Sequence, residues 1–193
     1  MASNIIFQDL PKVPSLATVH GTVMGLAFAI FMPLGAFLIR FLRVRNVVWV
    51  HTTCQLAGLA LVLAGLASGI RLARIIGQLH NNAHTVLGTV VVAALLLQPF
   101  FGFIHHRLYL RTQKGSQWAT LHVWYGRVLI LLGIINGGLG LQLASGSPVY
   151  SKAGMIAYSV LAGLSGLSLL VIIVVSFFGA GTAAKQGVRS DPE

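Results

Sequence analysis

"LHVWYGRVLILLGIINGGLGL", residues 121–141, is apolar enough to lie in a lipid bilayer, yet it opens on His122 and carries Arg127 five residues later. A helix needs about 20 apolar residues to cross a membrane, and an ionisable side chain inside one is costly enough to mark function. The stretch is not alone. Apolar runs of spanning length occur at 16–42, 47–72, 83–108, 118–143 and 153–178, joined by the short links RVRN, ARIIGQLHNN, YLRTQKGSQ and ASGSPVYSK. Short links favour antiparallel neighbours and an up-down bundle. The expected fold is all-α and integral to the membrane, with five transmembrane helices: a four-helix core bundle plus one peripheral helix. Residues 1–15 form an N-terminal extracytoplasmic tail, 16–179 the membrane domain, and 180–193 a mobile cytoplasmic tail.

Composition agrees. Of 193 residues, 56% are hydrophobic and 8% charged, with a mean hydropathy of +0.85; soluble domains average about 25% charged. The formal net charge of +10 does not mark a nucleic-acid binder, because the basic residues fall between apolar runs rather than in one patch. The three acids, Asp9, Asp191 and Glu193, lie in the tails. The single cysteine, Cys54, excludes a disulfide within the chain, and no CxxCH haem-attachment motif occurs. The start, MASNIIFQDLPKVPS, lacks the basic n-region and apolar h-region of a secretory signal, so the first span is expected to act as the insertion signal.

Charge sets the orientation. Lys12, Arg71, Arg74 and Lys152 fall on one side of the bundle, and Arg40, Arg43, Arg45, Arg107, Arg111, Lys114, Lys185 and Arg189 on the other. The more basic side faces the cytoplasm. The N-terminus is then extracytoplasmic and the C-terminus cytoplasmic, in a multi-pass protein of the plasma membrane or an endomembrane.

His20, His51, His84 and His122 each lie one to two turns inside the start of a different span. Spans of alternating direction sort them into an outer pair, His20 and His84, and an inner pair, His51 and His122. One intramembrane histidine often only bonds a neighbouring carbonyl. Four at matched depth, two per leaflet, suit haem: two neutral imidazoles fill both axial positions of the iron and leave none for oxygen, a centre for passing single electrons. Zinc fits poorly, since it wants about four ligands.

Glycines strengthen the pattern. Gly58, Gly65 and Gly69 follow His51, Gly88 follows His84, and Gly126, Gly133, Gly137 and Gly140 follow His122, at helical spacing. Residues such as Gly65 and Gly137 lie 14 or 15 positions past a histidine, about 21–23 Å along a helix and so level with the opposite pair. Gly65, Gly88, Gly126 and Gly137 are expected to let a macrocycle approach, with ordinary small-residue helix packing as the plainer reading. Arg127 has no acid in any span to pair with. A haem propionate is its expected partner, with backbone carbonyls at a kink as the alternative. His80 is placed on the outer surface near the haem edge, and His105 and His106 at the cytoplasmic end of the third span.

These residues resemble the cytochrome b561 family of transmembrane electron carriers, and within it the fungal type whose membrane part follows an extracellular haem-binding DOMON domain. The resemblance is carried by VHGTVMGLAF around His20, HTTCQLAG around His51, AHTVLGTVV around His84, QPFFGFIHHR after it, and the opening stretch around His122. It implies two noncovalent b haems, bound by His20 with His84 and by His51 with His122. It implies a transmembrane oxidoreductase of the ascorbate-dependent ferric or monodehydroascorbate reductase type. The family's cytoplasmic basic motif looks like FLIRFLRVR here, so Arg40, Arg43 and Arg45 are the implied ascorbate site. The implied outer acceptors are a ferric chelate, monodehydroascorbate or a partner DOMON or cytochrome domain, on the side of His80 and Lys152. The typical member has six spans; the one without a counterpart is the first, and no DOMON domain precedes residue 16. An excised membrane part or a short stand-alone form is expected, and a homodimer is compatible with it.

Two other readings compete. A quinol-linked di-haem cytochrome of the respiratory bc type would place two histidines on each of two helices, whereas here each helix has one well-placed histidine. A haem-free channel or proton-coupled transporter would use intramembrane carboxylates, which the spans lack.

Overall fold

Proline and small polar residues decide where these helices begin, bend and stop. The structure, a computed structural model, describes residues 7–187. A 3-10 turn, Phe7–Lys12, leads into α1 (Val13–Leu26), which continues through a π-helical turn, Ala27–Phe31, into α2 (Met32–Phe41). Then come α3 (Val47–Ile75), α4 (Ala83–Leu95), α5 (Gln98–Thr112), α6 (Gln117–Ala144) and α7 (Lys152–Gly187). Among the described residues, five continuous stretches are long and apolar enough to cross a membrane: Gln8–Phe41, Val47–Ile75, Ala83–Thr112, Gln117–Ala144 and Lys152–Phe178.

The ends have local causes. Asn82 accepts the Thr85 N–H at 3.0 Å, and Ser116 accepts the Ala119 N–H at 3.2 Å, so the third and fourth spans start on side-chain caps. The second span ends at Gly77, whose φ of 67° is the left-handed turn glycine adopts without strain. There the Gln78 N–H donates to Ala73 O and the Gly77 N–H to Arg74 O, the paired bonds of a Schellman end.

Two spans bend at proline. Pro33 has no N–H for the carbonyl four residues back, that of Ala29. The Ser165 hydroxyl of α7 donates to it, while Cys54 Sγ and Gln55 Nε2 of α3 donate to the neighbouring carbonyls of Phe31 (3.2 Å) and Met32 (3.2 Å). Three carbonyls at and after the π turn thus find a partner on another helix. In the third span, Pro99 interrupts the ladder at Leu96–Leu97, and the Tyr125 hydroxyl donates to Ala94 O at 3.0 Å across the break.

Two expected boundaries move. Residues 7–15 of the expected N-terminal tail are helical; Pro14 sits in the first turn of α1, where no N–H is needed. The last helix runs on to Gly187, well past residue 179. Its Ala-rich end has the propensity to continue.

The first two spans pack closely as one helical hairpin and the third and fourth as another. The first span also meets the fourth, and α7 lies against both of them. Around the bundle the order is therefore second, first, fourth, third, with α7 over the first–fourth seam. The buried core sits at mid-depth, where Phe28, Met32, Val62, Val91, Leu95, Leu129, Ile130 and Leu169 meet. Broad apolar surfaces of the same spans remain exposed, Val90, Phe100, Phe103, Leu164 and Phe177 among them, as a bilayer-facing surface requires.

Candidate haem centres

The four matched histidines meet across the bundle diagonals. His20 of the first span and His84 of the third have ring centres 5.8 Å apart, with planes at 82°. His51 of the second and His122 of the fourth stand 6.3 Å apart at 84°. Each pair joins one hairpin to the other, and the two pairs lie at opposite ends of the spans. His84, not His80, faces His20. His80 is exposed, sits at φ 60° and has its Nε2 3.4 Å from the Thr89 hydroxyl.

Three of the four rings are aimed by a backbone carbonyl of their own hairpin. His20 Nδ1 contacts Gly65 O at 2.8 Å, His51 Nδ1 contacts Gly35 O at 2.8 Å, and His84 Nδ1 contacts Asn136 O at 2.9 Å. A carbonyl only accepts, so Nδ1 carries the proton in each case and Nε2 keeps its lone pair. This is how proteins fix the tautomer of a metal-binding imidazole. His122 is the exception. Its Nδ1 makes no regular hydrogen bond; the ring is set against the backbone of Gln98, whose side-chain Nε2 donates to the His122 carbonyl at 3.2 Å.

These residues fit a bis-imidazole haem. Two imidazoles on one metal, each bonded at about 2 Å, set their ring centres roughly 6 Å apart, and the observed separations of 5.8 and 6.3 Å agree. The donor set is right as well: neutral nitrogens, two per level. Among the described residues no cluster of three or more His, Cys, Asp or Glu forms that could hold a bare metal ion.

Glycines cushion the rings themselves. A Cβ on Gly69 would come within 2.6 Å of the His20 ring, one on Gly140 within 2.8 Å of His84, and one on Gly102 within 3.1 Å of His122. The four glycines expected to face a macrocycle receive protein side chains: Met24 on Gly65, Asn136 on Gly88, Gln98 on Gly126 and Tyr158 on Gly137. Sequence reasoning gave no role to Gly102, and only the helix azimuths reveal it.

Arg127 turns toward the last helix. Its Nη2 donates to Ser176 Oγ at 2.9 Å, and its guanidinium lies 4.8 Å from the Trp124 ring centre. A hydroxyl and an indole face thus stand where a propionate or carbonyls were expected. Arg40, Arg43 and Arg45 are exposed at the turn between the first two spans. At the opposite end, a cleft of about 210 Å³ reaches His84 between Asn82, Leu139, Gln142 and Leu143. Lys152 is exposed at the first turn of α7.

The family model described as eukaryotic cytochrome b561 matches residues 18–146, a range that includes all four paired histidines. The chain is 29% identical over 178 residues to a cytochrome b561 and DOMON domain-containing protein of Arabidopsis thaliana, covering 91% of this chain and 42% of the relative. A second such Arabidopsis protein is 28% identical over 146 residues, 70% of this chain and 34% of its own length. A cytochrome b561 domain-containing protein of the same plant is 26% identical over 141 residues, 68% of this chain and 52% of its own length. The chain thus spans about a third to a half of these relatives. No solved structure gives a match.

Proposed function

Given that the chain belongs to the eukaryotic cytochrome b561 family, integral membrane proteins that bind haem b and transfer electrons across the membrane, we propose that it carries two haems and relays electrons between them from one membrane face to the other. His20 and His84 would hold one iron, and His51 and His122 the other. The observation that carries this reading is the pair of diagonal histidine contacts at opposite ends of the bundle, each with nearly perpendicular rings. Bound haem iron supplies reversible one-electron chemistry. The facing imidazoles at each level would hold an iron from both sides and leave oxygen no place on it, and the apolar mid-depth core separates the two levels.

The electron donor in this reading is cytoplasmic ascorbate, drawn to Arg40, Arg43 and Arg45. Three exposed cations in one short turn favour an anionic reductant. This orientation puts the N-terminus outside and the His20–His84 level toward the acceptor. The acceptor in this reading is a ferric chelate, monodehydroascorbate or a DOMON domain, the last being the domain that the names of the relatives carry beside cytochrome b561. The cleft beside His84 gives such a partner a route, with His80 on the same face and Lys152 at the start of α7.

The test is haem stoichiometry with ligand variants. The purified protein should contain close to two haems per chain. His51→Ala or His122→Ala should remove one and leave the His20–His84 centre, and His20→Ala or His84→Ala should do the reverse. Equal loss of both haems from a folded single variant would overturn the two-site reading.

A further inference from the structure

Arg127 carries a charge inside a span, where no acid occurs to answer it. Among the described residues its partners are the Ser176 hydroxyl, bonded at 2.9 Å, and the Trp124 ring, 4.8 Å away. Both are neutral. None of the other guanidinium N–H groups is both buried and unbonded, so they open onto the outer surface of the helices.

A second guanidinium lies at the same level. The first span and α7 run the same way through the bundle, and the Ser165 hydroxyl of α7 is bonded to the Ala29 carbonyl of the first span. Eleven residues farther along each helix, about 16 Å, come Arg40 and Ser176. Ser165, Leu169, Ile172 and Ser176 form the stripe of α7 that faces the first–fourth seam, and Leu169 and Ile172 are buried in it. Arg40 is exposed, and it stands near enough to Arg127 for the two charges to repel. Both arginines sit where the apolar runs stop: Arg40 is one residue before the end of its span, and Ser176 is two before the end of the α7 span. That is the headgroup level of the leaflet at the basic end. From there Trp124, Val128, Leu131 and Ile135 make one exposed apolar stripe along α6 toward the bilayer centre.

We propose that Arg127 and Arg40 clamp the phosphate of an anionic phospholipid of this leaflet, seated where α7 lies over the first and fourth spans, with an acyl chain along the Val128–Leu131–Ile135 stripe. An unpaired arginine in a span is costly, and a like charge beside it adds to the cost. One phosphate between the two removes both penalties, and its oxygens match the guanidinium fork. Two cations are balanced best by a headgroup of net negative charge, so a choline lipid fits less well. Arg40 also borders the proposed ascorbate turn, whereas Arg127 does not, so Arg127 separates lipid binding from donor binding.

The test uses the full haem-loaded chain in detergent, with phosphatidylserine and phosphatidylcholine as probes and native mass spectrometry to count bound lipid. The protein should retain one phosphatidylserine per chain, more firmly than phosphatidylcholine. Arg127→Gln should weaken that retention by about tenfold, the size of one charge-assisted hydrogen bond. Arg127→Lys keeps the charge without the fork and should fall between. Arg40→Gln should weaken retention as well. Arg111→Gln, which removes an exposed cation of the same end on α5, should not. Soluble glycerophosphoserine should fail to displace the lipid, because it lacks the chains that the α6 stripe holds. Where Arg127→Gln loses haem, Arg127→Lys and Arg40→Gln carry the same comparison. Undiminished retention by the Arg127 and Arg40 variants, equal loss in Arg111→Gln, equally firm phosphatidylcholine, or displacement by glycerophosphoserine would each overturn the proposal.

Discussion

The hydroxyl of Ser165 is hydrogen-bonded to the carbonyl of Ala29, the group left without its helical donor by Pro33. A buried bond between α7 and the bent first span thus fastens the peripheral helix to the core. Ser165→Ala should destabilise the protein by about 0.5–2 kcal/mol, the range for buried bonds and for interhelical bonds in membranes. In a Pro33→Ala background the carbonyl regains a backbone donor, so Ser165→Ala should cost less there. Denaturation of the four proteins of this cycle in detergent checks it; equal costs in both backgrounds would mean the two residues are uncoupled.

Gly69 gives a more local test of the His20–His84 centre. A methyl at this position would lie 2.6 Å from His20 Nδ1 and Cε1, so the ring must swing and its bond to the Gly65 carbonyl must break. Gly69→Ala should release or weaken the His20–His84 haem and spare the other. Gly21→Ala, beside His20 but with nothing within 4 Å of the added methyl, is the control. Haem content of the two variants decides between ring displacement and general loss of packing.

Much of this was legible in the sequence because the decisive features are local. One histidine per span at equal depth, and links too short for anything but antiparallel neighbours, are enough to pair His20 with His84 and His51 with His122. The bends were signalled by Pro33 and Pro99 but not read. What could not be read are contacts set by helix rotation. His84 finds the Asn136 carbonyl 52 positions away, and Arg127 finds Ser176 49 positions away; no spacing rule within one helix predicts either. The glycine faces show the same limit: periodicity places Gly65, Gly88, Gly126 and Gly137 at useful depths, but azimuth gives them Met24, Asn136, Gln98 and Tyr158.

Neutralising Arg40, Arg43 and Arg45 together should slow reduction by ascorbate and flatten its dependence on salt. Exposed charges act over a Debye length of about 8–10 Å near physiological ionic strength. Stopped-flow reduction by ascorbate and by a neutral reductant separates the effects. Equal slowing with both reductants would point to altered haems and remove the donor site from the turn.

Charge movement gives the last check. An electron crossing alone separates charge, so the rate should respond to membrane potential at up to about 2.3 kcal/mol per charge per 100 mV. In liposomes loaded with ascorbate, with the basic turns facing the lumen and a ferric chelate outside, ferric reduction should accelerate when potassium and an ionophore collapse the potential. Undiminished reduction by a variant lacking either haem would place the chemistry at one surface only.

The division of the bundle into two hairpins bears on how the protein is made. Each hairpin has its own close packing, and three of the four paired imidazoles are aimed by a carbonyl of their own hairpin, but each hairpin supplies only one histidine to each pair. On the proposed assignment, haem is shared between halves that otherwise meet mainly along the first–fourth seam. A ligand that binds only the joined form stabilises that form by mass action, so the cofactor acts as a rivet during biogenesis. A chain synthesised under haem starvation would present two loosely joined halves to membrane quality control, and cofactor supply would set how much mature protein accumulates.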